Sequence, residues 1–167
     1  MANTFTKIAS TTVGSGGASS VTFSSIPGTY TDLCLKYSIR NTSTNPTVIA
    51  LINGSSSNFL RTYMVGSGSS VNSAVNDASN YIGYGSVSTD TTNTFANDEL
   101  YISNYTGSAF KPFMADNVNE NNATTAYAYL AGNLWSSTSA ITSIDISMYG
   151  GNLAQYSTLT LYGIKNS

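Results

Sequence analysis

At 167 residues, with 41% apolar side chains, the chain has the length and the material for one domain with one core. Only 8% of the residues are charged, against about 25% in an ordinary domain, and the net charge is −2, so solubility rests on Ser, Thr, Asn and Tyr rather than on ions. The six basic residues are scattered and no apolar run nears the roughly 20 residues of a membrane span, which argues against nucleic-acid and membrane partners.

The opening residues, MANTFTKIAS, lack the apolar centre of a signal peptide, so synthesis in a cytoplasm is expected, with residues 1–10 as an extended arm. A weak first strand is predicted over Ile8–Val13, ending at the Gly-Ser-Gly-Gly turn of residues 14–17. Val21 and Phe23 then alternate with Thr22 and Ser24 before a stop at Pro27-Gly28. Asp32–Arg40 is the clearest strand of the first half. Leu33, Leu35, Tyr37 and Ile39 share one face; Cys34, Lys36, Ser38 and Arg40 share the other. Thr47–Ile52 is a denser strand leading to Asn53-Gly54, a hairpin signal, and Phe59–Val65 is its return.

Residues 66–80 and 88–97 read as long polar loops around a short strand at Tyr81–Val87, which Gly83 and Gly85 interrupt. Glu99–Tyr105 and Phe110–Met114 are expected to pair across Thr106-Gly107-Ser108, and residues 116–125 read as a loop. Thr125–Trp135 reads as a strand with Tyr127, Tyr129 and Ala131 on one face and Ala126, Ala128 and Leu130 on the other. Ile141–Met148 is followed by a turn at Tyr149-Gly150-Gly151. The last stretch, Ser157–Ile164, alternates cleanly, with Leu159 and Leu161 facing one way. As the final strand it is expected to close a sheet against partners formed earlier.

About nine or ten strands, Gly/Ser/Asn-rich turns and no convincing helix make the chain all-β. The long loops fit Greek-key crossings. The expected architecture is one domain over residues 1–167, an antiparallel jelly-roll β-sandwich of about eight to ten strands.

Little of the usual catalytic chemistry is present. There is no histidine, which removes the usual triad, the commonest acid/base and the commonest zinc ligand. The single cysteine, Cys34, cannot form an internal disulfide and lies in an alternating run, where burial as a small apolar side chain is expected. Asp98 and Asp116 are among the eight acids that a hydrolase would have to draw on. Residues 116–122, DNVNENN, offer Asp116, Asn119 and Glu120 as hard oxygen ligands for calcium, but miss the EF-hand spacing, and a solvated loop is the preferred reading. No catalytic residue and no cofactor are therefore expected. Low charge does suit close contact between copies, since few ions need desolvating. The candidate contacts are the face carrying Lys36 and Arg40 and the face carrying Tyr127 and Tyr129. The twelve tyrosines suit interfaces and also sugar stacking, for which Tyr81, Tyr84 and Trp135 are the candidates beside the polar loops.

The blocks SVTFSSIPGTYTDLCLKYSIR (20–40), ALING (50–54), YISNYTGSAFKPF (101–113), LWSSTSAITSIDI (134–146) and STLTLYGI (157–164), in that order, resemble small virion structural proteins of tailed bacteriophages, cyanobacterial phages among them. Cys34, in place of an aliphatic, and Leu159, in place of a bulkier aromatic, depart from the pattern at core positions. The resemblance implies a jelly-roll domain without catalytic residues, found in the virion. It implies a capsid decoration (cement) protein that assembles as a homotrimer and binds the major capsid protein. The alternative it allows is a tail-fibre or baseplate appendage domain that binds host-surface glycan.

Overall fold

The computed structural model describes residues 4–120 and 126–165, and only the backbone of Asn76, Asp77 and Glu120. Twelve strands and no helix occur among the described residues: β1 (Phe5–Thr12), β2 (Ser20–Phe23), β3 (Asp32–Ser38), β4 (Thr47–Ile52), β5 (Phe59–Gly66), β6 (Val71–Asp77), β7 (Tyr81–Tyr84), β8 (Asn97–Ile102), β9 (Lys111–Glu120), β10 (Ala126–Trp135), β11 (Ile144–Met148) and β12 (Thr158–Ile164). They form two sheets. The large sheet has the order β1-β12-β3-β8-β9-β10-β5-β6, and the small one β2-β11-β4-β7. Every paired neighbour runs antiparallel. The all-β expectation and the two-layer arrangement both hold.

The core lies between the layers and follows from alternation. Leu33, Leu35 and Tyr37 of β3, Leu100 and Ile102 of β8, and Leu159 and Leu161 of β12 bury one face of the large sheet. They meet Val48, Ala50 and Ile52 of β4 and Ile144, Ile146 and Met148 of β11 from the small sheet. A period of two sends every second side chain to the same side, so each of these strands has one buried row. Trp135 and Phe59 close one end of the same core.

The sequence blocks at either end of the chain meet here. Asp32 pairs in register with Ile164, and the Tyr30 ring packs on Gly163, where a side chain would collide with it. The Asp32 carboxylate accepts hydrogen bonds from Tyr101 Oη (2.7 Å) and the Asn104 amide (2.8 Å), while the Tyr105 hydroxyl donates to the Pro27 carbonyl.

Several boundaries differ from expectation. β12 does pair with strands formed earlier, but it lies inside the sheet between β1 and β3, and β1 forms the edge. Most of the expected N-terminal arm is strand, since β1 starts at Phe5; residues 1–3 lie outside the described residues. The expected 66–80 loop contains β6, and the expected 116–125 loop is strand as far as Glu120. Gly83 lies within β7 and does not interrupt it. A Cβ there would stand 3.2 Å from the Asn117 amide, so its lack of a side chain lets β7 press onto β9.

Candidate functional site

The outer face of the large sheet carries the feature that most needs explaining. One cross-strand row runs Ser10, Thr160, Lys36, Glu99, Asp116, Leu130, Met64, Ser73, from β1 to β6. Its first half is polar and its centre charged. Beyond Asp116 it turns apolar at Leu130 and Met64 before ending at Ser73, and the neighbouring rows add further apolar side chains. Leu60, Met64, Val71, Met114, Val118 and Leu130 all project from β9, β10, β5 and β6 and are between 42% and 75% exposed. Apolar side chains scattered over a surface need no account; here they gather on four adjacent strands as one exposed apolar face. A groove of about 550 Å³ crosses this face, with Met64, Val71, Val118 and Leu130 on one side and Lys36, Glu99 and Asp116 on the other.

Lys36 belongs to this surface. It makes an exposed ion pair with Glu99, which raises the lysine's pKa and contributes at most about 1 kcal/mol to stability. Arg40 does not share the surface. It lies beyond the end of β3, where its guanidinium donates to the carbonyls of Thr91 (2.9 Å), Thr94 (3.0 Å), Ser88 (3.3 Å) and Asp90 (2.8 Å). It ties the 88–94 loop to the sheet. Cys34 is buried beside Lys36, and burial, with a smaller contribution from Glu99, pushes its thiol up to about 11.

Tyr127 and Tyr129 turn inward. Tyr129 is 3% exposed, its ring stacks on Tyr63 (5.4 Å), and its hydroxyl accepts from Arg61 (3.0 Å). Tyr84 packs against both Tyr127 and Tyr129, at 6.0 and 5.2 Å. These rings form a satellite core where the small sheet stops and the large one continues. Arg61 lies over Tyr63 at 4.4 Å and near Tyr81 at 5.5 Å. Of the sugar-stacking candidates, Tyr81 and Tyr84 remain half-buried at this margin, whereas Trp135 is in the core.

Asp98 and Asp116 do not come together. Asp98 is buried on the inner face and Asp116 is exposed on the outer one, so the sheet separates them. Asp116 and Asn119 likewise point to opposite sides of β9, which breaks up the calcium set; Asn121 and Asn122 lie outside the described residues. Among the described residues, no three His, Cys, Asp or Glu side chains gather. The chain matches no protein-family model, no curated protein and no solved structure.

Proposed function

We propose that this chain is a non-enzymatic structural protein of a bacteriophage virion, a capsid decoration protein that assembles as a homotrimer and docks on the major capsid protein. The observation that carries the reading is the apolar outer face of β9, β10, β5 and β6. A face of that breadth destabilises nothing when water-exposed side chains find partners, and its low charge leaves few ions to desolvate. The strand order supports the jelly-roll part of the reading. The small sheet runs β2-β11-β4-β7, and the large one contains β3, β10, β5 and β6 in that order. This is how two interlocked Greek keys distribute eight strands between two layers. β8 and β9 are then an insertion between β3 and β10, and β1 and β12 an added flank.

Cryo-electron microscopy of virions carrying a tagged copy tests the proposal. Density for the tag at lattice positions on the head supports it; density confined to the tail overturns the decoration role. A second reading keeps the protein in a tail fibre or appendage and gives Tyr81 and Tyr84, at the Arg61 margin, to a host glycan. Binding on a glycan array that Tyr81→Ala abolishes would favour this second reading.

A further inference from the structure

We propose that the chain binds a monovalent cation of about the size of sodium between its sheets, on the oxygens of Asp98, Asn117, Asn119 and Tyr37. These residues are neighbours on the inner face of the large sheet. Tyr37 pairs in register with Asp98, and Asp98 with Asn117; Asn119 is two residues further along β9 and points the same way. All four are at most 7% exposed. Among the described residues, the side-chain oxygens of Asn117 and Asn119 and the Tyr37 hydroxyl have no hydrogen-bond partner, and the Asp98 carboxyl has only the nearby Asn117 amide. In native interiors such groups are normally satisfied by protein, water or an ion.

The orientation of the two amides is dictated by β7 and the residue after it. The Asn117 NH₂ donates to the Tyr84 carbonyl and the Asn119 NH₂ to the Gly85 carbonyl (3.1 Å). Turning either amide over would set its oxygen against a backbone oxygen. In its charged form the Asp98 carboxylate joins the two amide oxygens as acceptors without protons, and Tyr37 can supply one donor. A water brings two protons; a cation satisfies all these lone pairs and also neutralises the carboxylate.

Charge selects the kind of ion. Without a cation, burial holds the Asp98 carboxyl well above the usual carboxylate range, opposed by the nearby Asn117 amide, so the cation competes with a proton for this position. The neighbouring charge that acts on it is Asp116, of the same sign. One buried carboxylate balances one positive charge, whereas a divalent ion would leave an unpaired charge in the core. Oxygen donors alone exclude the softer transition metals, and magnesium would keep several waters for which a buried site has little room.

Thermal unfolding of the full chain in sodium chloride, against N-methyl-D-glucamine chloride at equal ionic strength, tests the proposal. The Tm is expected to rise by about 5 °C and saturate with sodium. Asp98→Asn should abolish that dependence, while Asp116→Asn, on the other face, should keep it. Asn119→Ser perturbs the core less and should move the midpoint to higher sodium. Crystals soaked in thallium(I) should show an anomalous peak among the four side chains. Equal Tm in the two salts, a response to calcium but not sodium, or density that refines as water with no thallium peak would each overturn the site.

Discussion

A methyl group added at Gly163 would run into the Tyr30 ring, whereas one added at Gly132 would meet nothing within 4 Å. Both glycines are in strands of the large sheet, so the contrast isolates packing from strand propensity. Gly163→Ala must displace a rigid aromatic ring and should cost about 1–3 kcal/mol. Gly132→Ala should be neutral or slightly stabilising, because it reduces the freedom of the unfolded chain. Urea unfolding of the two variants measures the difference. Tyr101 supplies a pH dependence. Its hydrogen bond to Asp32, helped by burial, pushes the phenol up to about 12. The folded state therefore holds this proton more tightly than the unfolded chain does. The stabilisation is complete below pH 10 and is lost as pH rises from 10 to 12. Tyr101→Phe should be less stable by about 1 kcal/mol at pH 8, with the gap closing at the top of that window in denaturation curves.

At the scale of elements, alternation made β3 and β12 legible, because each has a buried apolar row opposite a largely polar one, and β10 through the alternation of its tyrosines with alanine and leucine. β6 escaped notice for the converse reason. Its valines, Val71 and Val75, are 75% and 70% exposed, and it is a strand by virtue of pairing with β5 rather than by burying a face. The second half of β9 alternates with its polarity inverted: Asn117 and Asn119 are buried and Val118 is exposed. Read for hydrophobicity alone, that pattern looks like a loop. Read as a period of two with the sign reversed, it is the one signal in the sequence for both the buried oxygen cluster and the apolar outer face. Arg40 shows the limit of face assignment by parity. Its spacing put it beside Lys36, yet the strand ends at Ser38 and four loop carbonyls take its guanidinium. Lysine has neither the fork nor the reach to serve four carbonyls. Arg40→Lys should speed amide hydrogen exchange over residues 88–94 and lower the Tm by a few degrees, while leaving self-association unchanged. A shift in oligomeric state would instead return Arg40 to an interface.

At the scale of the molecule, the apolar outer face joins two strand pairs distant in the chain, β5–β6 and β9–β10, so no single window of sequence displays all of it. Met64 of β5 and Leu130 of β10 are direct cross-strand partners, 52% and 43% exposed, and lie at its centre. A charge at these positions costs the isolated chain little, since both side chains already reach water; surface changes of this kind usually stay within about 0.5 kcal/mol. In an assembly that buries the face, the same charges would be desolvated without a partner and would stand next to Asp116, of like sign. Met64→Asp combined with Leu130→Asp should therefore lower the monomer's stability by only about 1–2 kcal/mol, from the like charges set across from one another and from Asp116, and weaken self-association by at least about 100-fold, or roughly 2.7 kcal/mol. Sedimentation equilibrium at micromolar concentration reads this directly, with a trimer expected for the unmodified chain and a monomer for the variant. An unmodified chain that sediments as a monomer would remove self-association. A double variant that remains trimeric would move the interface to another surface, with the small sheet's outer side and the β1 edge next in line.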